Sequence, residues 1–358
     1  MADHAGRVDR LRDAIVAAGA PSALLVSGLV NIRYLTGFTG SNASVAVTPD
    51  DVVLVTDGRY LEQVATQAPR VTVVDARDTL PAAIRVAGEM GQTRIGIEAE
   101  HLSLAQFQRI DATDVDLVPT TGVIEGLRRT KDSDELEQLR SACALISGAV
   151  TNVMPRIHAG LTERQIDRML TDELLDQGAD GPAFPAIVAT GPHSAIPHHT
   201  PTDRPVQVGD LLKIDAGALV GGYHSDMTRT FVVGAEPTPR QRELHEAVAA
   251  AALAARDAVA AGVPSAQPDV AAREELRRRQ LEDLYTHGLG HGVGLQIHEA
   301  PMLGRTQTDT IAAGDVLTIE PGVYVPGFGG VRIEDTIAVT DDGTKCLTSV
   351  ARDLIRLG

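Results

Sequence analysis

Gly209-Asp210-Leu211-Leu212-Lys213-Ile214-Asp215-Ala216-Gly217 and Gly314-Asp315-Val316-Leu317-Thr318-Ile319-Glu320-Pro321-Gly322 are two copies of one pattern. Each opens on a Gly-Asp turn, runs through an apolar stretch and places a carboxylate near its end. The likeness extends both ways. Upstream, Ala159-Gly160-Leu161-Thr162 matches Ala261-Gly262-Val263-Pro264, each Ala-Gly pair closing a long helical stretch before a shorter one. Downstream, Asp226-Met227-Thr228 lines up with Glu334-Asp335-Thr336. The offset between copies stays at about 105 residues. Each half reads helix, helix, strand, strand, and two such halves predict one pseudo-symmetric α+β domain.

The repeat sets a carboxylate at the same two points of each half. Gly221-Gly222 predicts a hairpin turn in the first. A two-residue turn there puts residue 215 opposite residue 228, with Asp226 one diagonal step away on the same face, roughly 7 Å from its neighbour. Glu320 and Glu334 differ by an even number, so they share a face if no bulge intervenes. Four carboxylates converging from two hairpins repel one another unless cations lie between them.

Outside the repeat, residues 1 to about 120 alternate strand and helix patterns. A helix is expected near 5–18, strands at Ala23–Val26, Val45–Val47, Val52–Thr56, Val71–Val74, Arg94–Ile97 and Asp116–Val118, and further helices after Asp57 and around 79–88. This is an α/β domain. Pro119-Thr120-Thr121-Gly122 supplies turn residues, so the domains are expected at 1–122 and 123–358. Asp132-Ser133-Asp134-Glu135 then reads as the capped start of a long helix towards Pro155.

With 32 basic against 48 acidic residues the formal charge is −16, which excludes the basic surface a nucleic-acid or anionic-membrane partner requires. Cys143 and Cys346 are the only cysteines and have no paired spacing; two reduced thiols and a cytoplasmic location are expected. The N-terminal stretch lacks the unbroken apolar run of a signal peptide.

Three histidines fall within Thr286-His287-Gly288-Leu289-Gly290-His291-Gly292-Val293-Gly294-Leu295-Gln296-Ile297-His298. The glycine spacing fails the dinucleotide fingerprint, since the third Gly would have to stand at Leu295. It suits close backbone approach around a metal-binding histidine. A further pair, His198-His199, precedes the first carboxylate hairpin.

With these residues in place the chain resembles the Xaa-Pro peptidases, prolidase and aminopeptidase P. Asn31-Ile32-Arg33-Tyr34-Leu35-Thr36-Gly37-Phe38 and Asp57-Gly58-Arg59-Tyr60 resemble the family's creatinase-type N-terminal domain. Ile214-Asp215-Ala216-Gly217, Ser225-Asp226-Met227-Thr228-Arg229-Thr230, Gly290-His291-Gly292, Ile319-Glu320-Pro321-Gly322 and Arg332-Ile333-Glu334-Asp335 are similar to its five metal-ligand motifs. The resemblance implies an α/β N-terminal domain followed by a pseudo-two-fold pita-bread catalytic domain. It implies metal ligands at Asp215, Asp226, His291, Glu320 and Glu334, with Asp226 and Glu334 bridging two ions. Catalytic roles fall to His198, His298 and Glu320, and substrate-binding roles to His287 and Arg332. The five ligands offer oxygen or nitrogen and no sulfur, which suits Mn²⁺, Co²⁺, Fe²⁺ or Zn²⁺; the resemblance favours Mn²⁺. It further implies a homodimer and peptide substrates with proline in second position.

Other classes compete with this reading. A metal-free creatinase-like hydrolase would not need all five ligands, a non-catalytic binding protein on this scaffold usually shows eroded ones, and methionine aminopeptidase lacks the N-terminal domain. Within the family, many prolidases carry an arginine four residues after the second catalytic histidine, where it grips the dipeptide carboxylate. Met302 stands there, so aminopeptidase P is expected and prolidase is the alternative, with Arg33, Arg59 or Arg305 as other carboxylate partners.

Overall fold

The computed structural model describes residues 3–108, 110 and 115–358. It divides into two compact units, Met1–Arg128 and Arg129–Gly358. The division falls within the helix Val123–Arg129, which begins just after the boundary expected at Gly122.

In the first unit, β-branched and aliphatic runs form a mixed sheet of six strands. Its order is Thr72–Asp75, Val52–Thr56, Ala43–Val47, Ala23–Val26, Arg94–Glu98, Asp116–Thr120. Ala43–Val47 pairs antiparallel with both of its neighbours, and the remaining pairs are parallel. The central strand Ala23–Val26 is buried at every residue, as expected where both faces of a strand are covered. Helix Thr79–Glu89 packs Leu80, Ala83, Ile84 and Ala87 against Leu25, Ala46, Val55 and Ile95.

The second unit opens with the helix Ser133–Val153. Its start is fixed by a capping box: Glu135 N donates to Asp132 Oδ1 at 2.9 Å, and Asp132 N donates back to Glu135 Oε2 at 3.1 Å. The repeat is realised element by element. Helices Ser133–Val153 and Glu163–Asp176 lead to strands Leu211–Ala216 and Met227–Val233; helices Pro239–Asp257 and Gln267–Arg278 lead to strands Val316–Ile319 and Asp335–Thr340. Even the connections repeat. Gly160 and Gly262, both left-handed, donate to Val206 O and Ile311 O, and the bridges Thr162–Pro205 and Pro264–Thr310 follow.

Both hairpins keep their register to the tip. In the first, Asp215 lies opposite Thr228 and Val220 opposite Tyr223, so the turn is Gly221-Gly222. Both glycines have positive φ, 55° and 83°, as a tight two-residue hairpin demands. In the second, Ile319 faces Asp335 and Gly322 faces Arg332, a register that puts Glu320 directly across from Glu334 with no bulge between. The halves thus differ in detail: the first carboxylate pair is diagonal, the second is opposed. Two apolar cores back the hairpins, one including Leu212, Ile214, Met227 and Phe231, the other Leu317, Ile319, Ile333 and Ile337. Burying each such side chain contributes about 1.5–3 kcal/mol. Among the described residues, no helix is long and apolar enough to cross a membrane.

Candidate metal centre

The hairpins bring their carboxylates to one place because strand Met227–Val233 docks along the second hairpin. Glu334 N donates to Thr228 O at 3.0 Å, Thr336 Oγ1 to Asp226 O at 2.7 Å, and Arg332 N to Thr230 Oγ1 at 3.2 Å. The third contribution is His291 on Gly290–Gly292, a strand between Glu299–Leu303 and Val316–Ile319. The flanking glycines are a steric necessity. A Cβ at Gly290 would lie 2.1 Å from Thr318 O, and one at Gly292 would lie 2.3 Å from Ala300 O.

His291 Nε2 lies 3.6 Å from Asp226 Oδ2 and 3.6 Å from Glu320 Oε1. Asp226, His291 and Glu334 each present a ligand atom, all three within 4.8 Å of one another. Asp215, Asp226, His291 and Glu334 are buried and Glu320 is half-buried. His291 Nδ1 sits 3.0 Å from Gly292 O. A carbonyl only accepts, so Nδ1 carries the proton and Nε2 offers its lone pair towards the carboxylates.

Arg332 is the cation of this cluster. It pairs with Asp215, lies 3.9 Å from Glu320, and donates to Thr228 Oγ1 at 3.1 Å, Tyr324 OH at 2.9 Å and Pro197 O at 3.2 Å. One arginine offsets one of four carboxylates. Burial first, then the charges of Glu334, Asp215 and Glu320, push Asp226 well above the ordinary carboxylate range. Glu334 is raised in the same way. Burial raises Glu320 to about 8, although Arg332 pulls it down. Burial lowers His291 to about 4.

A cation fits this arrangement. Asp215 Oδ1, Asp226 Oδ1 and Glu334 Oε1 are buried with no hydrogen-bond partner. Such oxygens are costly to desolvate, and three of them from three different carboxylates aim into one cluster. Oxygen and imidazole donors without sulfur suit a hard or borderline divalent metal.

Three further expected residues, His298, His198 and His287, lie beside this cluster. His298 is exposed, with its ring 4.4 Å from that of His291 at 78°. His198 is also exposed and follows Pro197, whose carbonyl is held by Arg332; its ring is near enough to His287 and His298 to help lower both. His287 ends a relay: Arg332 donates to Tyr324 OH, which lies 2.8 Å from His287 Nε2, while His287 Nδ1 faces Gly288 O at 2.8 Å. Burial lowers His287 to about 4, so it is neutral. Met302 is 40% exposed, and Arg305, on the following loop, lies 3.9 Å from Glu282. In the first unit Arg59 is held bidentately by Asp57.

Two contributors escaped the sequence reading. Thr228 donates to Glu334 Oε2 at 2.6 Å, and Tyr324 links Arg332 to His287. Thr228 did carry a signal, since it and Thr336 occupy equivalent repeat positions. Tyr324 carried none.

The model of the metallopeptidase family M24 matches residues 137–341, and that of the creatinase/prolidase N-terminal domain matches 7–130. The structure of the Xaa-Pro dipeptidase from Bacillus anthracis is similar with a TM-score of 0.95 at 32% identity, covering 99% of this chain and 100% of that one. The X-Pro aminopeptidase from Thermotoga maritima is similar at a TM-score of 0.91 and 30% identity, covering 98% and 99%. The Xaa-Pro dipeptidase of Pyrococcus furiosus is 37% identical over 270 residues, 75% of this chain and 74% of that protein. A repeat whose carboxylates and histidine meet at one buried cluster, on a pita-bread fold matched from end to end, makes this chain a member of the metallopeptidase family M24, the family of its Xaa-Pro peptidase relatives.

Proposed function

We propose that this chain is a dinuclear, divalent-metal-dependent Xaa-Pro dipeptidase that cleaves the bond before a C-terminal proline. The observation that carries the metal part is the convergence of Asp215, Asp226 and Glu334, each with a buried oxygen that nothing else satisfies. Asp226 and Glu334 would be shared by two ions, with Asp215 completing one set and His291 with Glu320 the other. Bound there, two divalent cations supply Lewis acidity and an attacking water of lowered pKa.

The protein's own groups divide the remaining work. Glu320, the half-buried carboxylate of the cluster, takes the proton of the attacking water. His198 and His298, exposed beside the cluster, donate to the developing oxyanion and to the substrate backbone. Arg332 fixes Asp215, and Thr228 fixes Glu334, so the carboxylates need no rearrangement during the reaction.

The dipeptidase reading reverses the preference that Met302 gave. What supports it is that dipeptidases are among the most similar relatives and match the chain at least as closely as the aminopeptidase does. Met302 leaves the carboxylate partner unassigned, and Arg305, exposed three residues on, is the candidate in the same unit. Steady-state kinetics on Ala-Pro and Ala-Pro-Ala test the reading. A dipeptidase is expected to favour Ala-Pro by about tenfold in kcat/KM, roughly 1.4 kcal/mol, and Arg305→Ala to narrow that gap. A preference for Ala-Pro-Ala would return the chain to aminopeptidase P.

A further inference from the structure

His198 stands on a segment with little regular structure of its own. Between Thr190 and Thr202 there is only the short turn Gly191–Ala195 and then irregular chain through Pro197. A segment of that kind does not hold a histidine in place unaided. Its anchor is Glu163, the first residue of helix Glu163–Asp176, whose side chain is completely buried.

One oxygen of Glu163 accepts from Thr190 N at 2.9 Å, Thr190 Oγ1 at 3.1 Å and His193 Nδ1 at 2.9 Å. The other accepts from His199 Nε2 at 2.8 Å, Thr202 N at 2.9 Å and Thr202 Oγ1 at 2.7 Å. The two oxygens therefore grip the two ends of the segment, and the rings of His193 and His199 meet at 4.5 Å. Its middle is held from the other side: Lys213 Nζ donates to Ile196 O at 2.7 Å, and Arg332 to Pro197 O at 3.2 Å. Glu163, His193 and His199 have the composition of a metal site. Six donors on one carboxylate, however, leave no lone pair for an ion.

We propose that Glu163 is a positioning residue for His198, closing the Thr190–Thr202 segment so that His198 is presented to the carboxylate cluster. This rests on His198 acting in the reaction. Glu163→Gln keeps the shape but puts an amide among N–H donors, releasing one end of the segment. A misplacement of about 1 Å can cost up to ~100-fold in rate.

The experiment measures kcat, KM, metal content and Tm for Glu163→Gln, His198→Ala and the double variant on Ala-Pro. Glu163→Gln is expected to lower kcat by about tenfold or more, with KM changed less than about threefold and metal content unchanged. In the His198→Ala background the same substitution is expected to change kcat by less than about twofold, because the group it positions is gone. An equal loss in both backgrounds would overturn the proposal and leave the His198 reading intact. Near-normal turnover in His198→Ala would overturn both. Loss of a metal ion from Glu163→Gln at otherwise full occupancy would make the cluster an ion site instead. Should Glu163→Gln fail to fold, Thr202→Val removes one donor at conserved shape and is expected to show the same non-additivity at smaller amplitude.

Discussion

Asp226 Oδ1 and Glu334 Oε1 are buried and bonded to nothing, while Asp226 Oδ2 faces His291 Nε2 at 3.6 Å and Glu334 Oε2 accepts from Thr228. Under the proposed assignment both carboxylates would be shared by the two ions. Asp226→Ala is therefore expected to lose both ions together in metal analysis, whereas Asp215→Ala should retain one. Full occupancy in Asp226→Ala would rule out bridging. For the histidines the expectation is different. His198→Ala and His298→Ala touch exposed donors outside the ligand set, so metal content and fold should hold while kcat falls about a hundredfold, near 3 kcal/mol of lost oxyanion stabilisation. Either variant turning over Ala-Pro at close to the normal rate would return that residue to a structural role.

At the scale of elements, the hairpins carry the site, and their register depends on turn chemistry. Gly221-Gly222 pins Asp215 opposite Thr228, which leaves Asp226 on the same face. Gly222 has φ 83°, where a branched side chain costs about 1–2 kcal/mol. Gly222→Val should therefore lower Tm by several degrees, and Gly222→Asn by much less, since Asn tolerates that region. Equal Tm values for the two would show that the turn is not held to this conformation. These hairpins were legible in the sequence because a two-residue Gly-Gly turn and an alternating apolar strand are local signals, and the repeat doubled them. The difference between halves was not legible. Asp226 lies diagonal to Asp215 while Glu320 faces Glu334, and that follows from where each turn falls, which composition does not encode for the three-residue turn 326–328. Glu163 was invisible for a stronger reason. Its partners Thr190, His193, His199 and Thr202 are 27 to 39 residues away, and nothing in their spacing marks a common acceptor. Sequence patterns announce residues that share an element; they are silent about groups gathered by packing.

On the scale of the molecule, the second unit folds around a group of like charges, and this fixes how its stability must respond to metal and to pH. Without ions, Asp226 and Glu334 are held well above the ordinary carboxylate range by burial and mutual repulsion, and burial brings Glu320 to about 8 against an ordinary 4.5. Raised values mean that the metal-free folded state binds more protons than the unfolded chain between these limits. The contribution of these carboxylates to its stability is fully present below about 4.5 and is lost as pH rises towards 8. Ions at the site replace those protons, so the loaded protein escapes this loss and metal uptake near neutrality releases protons. Calorimetric scans of loaded and chelator-treated protein at about pH 5 and about pH 8 are expected to show a Tm gap that widens at the higher pH. Glu320 alone contributes on the order of 2 kcal/mol to that widening once partial solvent screening is allowed for. Titrations of metal into stripped protein, run in two buffers of different ionisation enthalpy, should report the released protons directly. A gap independent of pH, or uptake without proton release, would mean that the carboxylates are already ionised in the metal-free fold, held apart by something other than the ions.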